Sequence, residues 1–298
     1  MNKIFSKLLV VFLTAILVFN VTACGEDKSG GMTITTDEAY EAITNAVNKT
    51  LTDVKEISVV ADGTAEVKMK NEENDDESES DSEMGMIKNN TYGLKANVAV
   101  KLGENNALDK AKLYAKLTDK GANSSIILEA YVKDGYSYTY TNIFGSSYGY
   151  SEMDDETTDL SDIDMEKVGE YIGKAKTELP KPEATKNGED IRVVWNITND
   201  NIGDYAKAIG KIQGKETQDD EIAEMLKDIR VNKGKITLVI GGDQIKNINV
   251  ELDAVRGEEG VKANLTCEIS VKNVEIVFDE DRLNEIRNTA REIEENED

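Results

Sequence analysis

Val261, Ala263, Leu265, Cys267, Ile269 and Val271 alternate with polar residues without a break. A period of two puts every apolar side chain on one face of a strand. A chain with many such strands forms a sheet with one apolar face, and that face needs a cover. The pattern recurs along the chain. Ile236, Leu238 and Ile240 lead to the turn Gly241-Gly242-Asp243, and Ile248, Val250, Leu252 and Ala254 lead to Gly257-Glu258-Glu259-Gly260. Earlier runs are Val59 to Met69, Leu94 to Leu102, Ala111 to Leu117, Ile126 to Val132 and Ile191 to Ile197. Lys133-Asp134-Gly135 reads as a hairpin turn into Tyr136, Tyr138 and Tyr140. Consecutive strands with short polar turns predict an antiparallel meander. At Lys272-Asn273 the phase slips by one residue, so Val274, Ile276 and Phe278 are expected to continue the last strand beyond a bulge.

The helical period appears in fewer places. Thr35 and Glu38 form a capping box before Tyr40, Ile43, Val47 and Leu51, which predicts a helix from Thr36 to Leu51. Ser161 is a cap for a helix over 162–177, which stops before Pro180. Ile202, Tyr205, Ile209 and Ile212 predict a third helix, and Ile222, Met225, Leu226 and Ile229 a fourth. Asp279 caps a last one carrying Leu283, Ile286, Ala290 and Ile293. The expected fold is α+β: a curved, mostly antiparallel sheet, an incomplete β-barrel, with helices covering its concave face.

Lys3 and Lys7 precede an apolar run from Leu8 to Val21 that ends in Val21-Thr22-Ala23-Cys24. The run has signal-peptide length and is short for a membrane span. The pattern resembles bacterial lipoprotein signal peptides. That resemblance implies cleavage after residue 23, diacylation of Cys24 and anchoring at the extracytoplasmic face of a cell membrane. Residues 24–34 then form a polar tether, and 35–298 a single half-barrel domain. Lipidation leaves Cys267 as the only free thiol, so the fold is expected to rest on burial without a disulfide.

The chain carries 59 acidic and 35 basic residues, a formal charge of −24, and no histidine. That field repels nucleic acid, and the missing imidazole removes the usual general base and the commonest metal ligand. No cofactor, metal or catalytic residue is expected. Gly145-Ser146-Ser147-Tyr148-Gly149 matches the Gly-x-Ser-x-Gly spacing of a nucleophile elbow, but it lacks the histidine and lies in a glycine- and tyrosine-rich hairpin. Residues 71–83 are an acidic, serine-containing stretch without apolar residues, expected as a solvated loop. An EF-hand reading from Asp75 fails, because Ser80 holds the glycine position and Met86 the last ligand position.

Taken together, lipobox, early helix, long meander, late helices and final meander resemble the LolA/LppX-like lipoproteins. The nearest to a shared segment is Lys235 to Leu252, which looks like the paired late strands of such sheets. The resemblance implies a half-barrel whose apolar concave face, roofed by helices, holds or carries an apolar ligand such as a lipid. Ala96, Ala115, Ala130 and Trp195 are the candidate lining residues on the inner face. The alternative is a surface lipoprotein that contacts proteins or glycans through Tyr136, Tyr138, Tyr140, Tyr148 and Tyr150. Cross-strand pairing on the sheet is the plainer use of those tyrosines.

Overall fold

The computed structural model describes residues 31–53, 55–69, 89–103, 108–143, 145–153, 165–212, 226 and 228–297. The lipobox with Cys24, the acidic stretch 71–83 and the segment 213–225 lie outside the described residues.

Twelve strands form one open antiparallel sheet. In chain order they are β1 (Met32–Thr33), β2 (Glu56–Lys68), β3 (Asn90–Leu102), β4 (Leu108–Asp119), β5 (Ser124–Lys133), β6 (Tyr136–Thr141), β7 (Ser147–Glu152), β8 (Glu183–Asn187), β9 (Asp190–Asn196), β10 (Ile229–Gly241), β11 (Gln244–Arg256) and β12 (Glu259–Ser270). Their spatial order is β1-β8-β9-β10-β11-β12-β2-β3-β4-β5-β6-β7. Two meanders are therefore joined edge to edge where β12 pairs with β2. Among the described residues, the helices named with them are α1 (Thr36–Asp53), α2 (Met165–Glu178), α3 (Ile202–Ile212) and α4 (Glu280–Glu297).

The period-two pattern sets the inner face. Across the sheet, Val193, Leu238, Ile248, Cys267, Ala61, Ala96, Ala115 and Leu128 stand in one register row. Val193, Leu238, Ile248 and Cys267 belong to one core cluster that also takes in Ala39, Tyr40, Ala46 and Val47 of α1, and Ala61 and Leu128 border it. The α1 helix starts where the capping box predicts: Thr35 N donates to Glu38 Oε2 at 2.7 Å and Glu38 N donates to Thr35 Oγ1 at 3.2 Å. It lies against β8 to β11. The α2 helix packs on α1, with Tyr40 Oη donating to Ala175 O at 3.0 Å, and α3 packs on α2.

The outer face carries a helix that the apolar pattern alone would place over the concave side. After β12 the backbone turns at Asn273, whose φ is +56°, and residues 274–279 take no strand pairing. The phase slip at 272–273 is thus an exit from the sheet and not a bulge within it. Lys112 Nζ on the outer face donates to Val277 O at 3.1 Å, and Phe278 meets Tyr131 edge-on at 6.4 Å. The segment so crosses the outer face to deliver α4 onto β6 and β7.

Three other details depart from expectation. Met32 and Thr33, expected at the end of the tether, pair with Lys186 and Thr185 as an edge strand. Strand β8 gives no sequence signal, because only Ala184 of Glu183–Asn187 is buried and no alternation shows. Ile229 opens β10, so a helix does not reach that residue. Gly169 and Gly173 of α2 face open space, where an added Cβ would meet nothing within 4 Å. Each therefore only weakens α2. Gly169→Ala and Gly173→Ala should each raise stability by about 0.5–1 kcal/mol in urea unfolding. A loss in either variant would mean that the helix face is occupied.

Candidate functional site

The inner face is covered unevenly. Ala130 and Trp195 lie in the packed core, and Trp195 meets Tyr40 edge-on at 6.4 Å. Burial pushes the Tyr40 hydroxyl above its ordinary pKa, with the Trp195 side chain acting in the opposite direction. Ala96 is buried and Ala115, its direct cross-strand partner, is half-buried. These two stand near the level where the helical cover ends. Ala130 and Trp195 belong to other rows, so the four candidates do not converge on one point.

Beyond Ala115 the inner face opens to solvent. The next row contains Leu265, Gly63, Leu94 and Leu117, followed by Ala263, Ala65, Tyr92 and Asp119 and then Ala254, Val261, Val67 and Asn90. Leu117 is 36 % exposed and Val261 39 %. Gly63 is needed here: a Cβ would stand 2.7 Å from Asn264 O and 2.9 Å from Leu265 Cδ1. The Leu265 side chain fills that gap.

At the same end lies a cleft of about 880 Å³. Its walls include Ile229, Arg230, Arg256, Glu258, Glu259 and Asp228. Register places Ile229, Arg256 and Glu259 in the inner-face row next after Ala254 and Val261. Asn199, from the loop after β9, clamps Val231 beside it: its Nδ2 donates to Val231 O at 3.2 Å, and Val231 N donates to its Oδ1 at 2.6 Å. In the sequence, Gly257-Glu258-Glu259-Gly260 signals only a turn. No local signal shows that the turn closes a cleft, because the other wall comes from residues 199 and 228–230.

The five candidate tyrosines stand on the outer face. Tyr138 pairs with Tyr150 and Tyr140 with Tyr148 across β6 and β7, and Tyr136 stacks on Tyr150 at 5.2 Å. Leu283 and Ile286 of α4 are buried among them together with Tyr131 and Tyr138. Arg282 lies 4.2 Å from the Tyr140 ring centroid and Arg291 5.2 Å from that of Tyr150. Arg282 Nε also donates to Glu129 Oε2 at 2.7 Å, in a pair largely removed from solvent. Burial raises the Tyr131 hydroxyl well above its ordinary range, with the Glu129 carboxylate adding to the effect. The tyrosine ladder is therefore the seat of the chain's own last helix.

Cys267 is buried on the inner face, and desolvation pushes its thiol up to about 11. It packs as a core residue, and burial disfavours its thiolate. Gly145 to Gly149 run through the β6–β7 connection into β7, where a nucleophile elbow would need a strand-to-helix turn. Among the described residues, no three Asp, Glu or Cys side chains gather as a metal ion would require, and no helix is long and apolar enough to cross a membrane.

No family model and no curated protein matches the chain. Among solved structures it is similar to a β-barrel-like protein of domain of unknown function DUF1849 from Brucella abortus. That likeness has 10% identity and a TM-score of 0.16, covering 74% of this chain and all of the other. A dehydratase-cyclase domain of ambruticin biosynthesis is 10% identical, covering 87% of this chain and 86% of its own, with a TM-score of 0.14. The dehydratase domain from the CurF module of curacin polyketide synthase is 11% identical, covering 82% and 86%, with a TM-score of 0.13. Scores this low carry no argument about function.

Proposed function

We propose that this chain is a lipid-anchored extracytoplasmic lipoprotein of the LolA/LppX-like kind that binds an apolar ligand, such as a lipid, on the inner face of its open sheet. The supporting observation is that the apolar inner face continues past its helical cover, leaving Leu117 and Val261 more than a third exposed. A sheet face of leucine, valine and alanine with few polar groups suits an acyl chain. The ligand enters at the end of β10 to β12 and lies along the Ala65–Ala263 and Ala96–Ala115 rows. The alternative, an interaction module working through the tyrosines, is weakened because α4 occupies that ladder. Anchoring through Cys24 follows from the signal-peptide pattern alone.

The reading is tested on purified full-length protein. Native mass spectrometry should show a co-purifying lipid that organic extraction releases. Ala115→Trp should abolish it while the protein keeps a cooperative melt, because Ala115 is only half-buried. Absence of bound lipid, together with no uptake of a fluorescent acyl probe, defeats the proposal. Separately, Cys24→Ser should release the protein from the membrane fraction. A wild-type mature N-terminus at any other residue defeats the anchor.

A further inference from the structure

The cleft at the open end of the sheet holds charges of both signs that do not neutralise one another. Arg230, Arg256, Asp228, Glu258 and Glu259 all line it. Arg256 and Glu259 are direct cross-strand partners. Elsewhere ion pairs join residues of different elements, as Lys246 with Asp190 at 2.9 Å, Lys211 with Glu178 at 2.7 Å and Lys133 with Glu280 at 2.6 Å. Among the described residues, none of the five cleft charges makes an ion pair or hydrogen bond through its side chain. Two cations and three anions, all exposed, thus stand around an open cleft of about 880 Å³.

The position of the cleft gives these charges a use. Arg256 and Glu259 form the inner-face pair immediately beyond Ala254 and Val261. Val261 belongs to the exposed apolar rows that the proposed function assigns to an acyl chain. A molecule whose tail lies on those rows carries its other end into the cleft.

We propose that the cleft is a head-group site for a zwitterionic amphiphile, with Arg256 taking the phosphate and Glu258, Glu259 and Asp228 taking the ammonium group. This rests on the apolar-ligand reading and adds the ligand's class. The overall charge selects the zwitterion: a purely anionic head would approach a chain of net charge −24 against its field, whereas a zwitterion carries no net charge. The planar guanidinium of Arg256 suits a phosphate, which it can bind through two parallel N–H donors.

The experiment measures binding to the full-length protein of four probes: a lysophosphatidylethanolamine, the monoacylglycerol and the lysophosphatidic acid with the same chain, and glycerophosphoethanolamine without a chain. Lysophosphatidylethanolamine should bind roughly tenfold tighter than monoacylglycerol, the worth of one net charge-assisted hydrogen bond. Arg256→Gln should erase that advantage with the thermal midpoint unchanged. The double variant Glu258→Gln, Glu259→Gln should erase the preference over lysophosphatidic acid. Equal binding of lysophosphatidylethanolamine and monoacylglycerol overturns the head-group site and leaves the apolar reading standing. Binding of glycerophosphoethanolamine as tight as that of the lysolipid overturns it in favour of a soluble zwitterion. Failure of every acylated probe defeats the apolar reading, and the head-group site with it.

Discussion

Arg282→Ala should destabilise the protein by about 3 kcal/mol in urea unfolding, because it leaves the Glu129 carboxylate buried without its partner. The guanidinium makes a 2.7 Å hydrogen bond to Glu129 and lies 4.2 Å from the Tyr140 ring centroid. Its pKa lies above the ordinary arginine value: burial works against the charge, but the hydrogen bonds to Glu285 and Glu129 outweigh it. The larger part of the loss is the cost of the stranded carboxylate. Glu129→Gln in the Arg282→Ala background should therefore recover part of the stability, and this double variant separates a buried-charge defect from lost packing. A loss below about 1 kcal/mol for Arg282→Ala would show that the pair is effectively solvated, as surface ion pairs are. It would also show that α4 is held mainly by its apolar contacts, Leu283 and Ile286 among them.

Gly63→Val should cost about 3 kcal/mol, at the upper end for overpacking a sheet interior. A Cβ at this position would meet Asn264 O at 2.7 Å, a backbone atom fixed by the β12 ladder, and Leu265 Cδ1 at 2.9 Å. Neither neighbour moves without disturbing the central pairing of β12 with β2, which joins the two meanders. Gly93→Ala serves as the control. Its Cβ would meet only the flexible end of Lys120, at 3.3 Å, so that variant should change stability little. Equal losses in both variants would mean that glycine in these strands matters through general strand propensity and not through the close approach at residue 63.

Short-range patterns carry the readings that the structure matches. The capping bond between Thr35 and Glu38 spans three residues, and α1 starts where that pair places it. The long strands β2 to β5 and β9 to β12 alternate over enough residues for the period to identify both the element and its inner face. The departures lie where the pattern is too short or too weak. Two residues cannot display a period, so β1 leaves no signal, and β8 buries too little to show one. Among the candidate site residues, Ala96, Ala115, Ala130 and Trp195 stand on the inner face that the alternation defines. Their spread over several rows needs the registers of seven strand pairs.

The class of fold is written in the residue order, because alternation at period two forces one apolar sheet face whatever the connections between strands. How the pieces meet is a property of the assembled sheet. The apolar stripe of α4 is compatible with either face, and its seat on the outer one depends on Arg282 reaching Glu129, 153 positions away. Likewise, the tyrosines at 136–150 have the same pattern whether they face a partner or their own chain's last helix. The cleft arises because residues 199, 228–230 and 256–259 converge at one end of the sheet. Contacts between residues so distant in the chain leave no local periodicity, so the energy that selects them is visible only once the strands are paired.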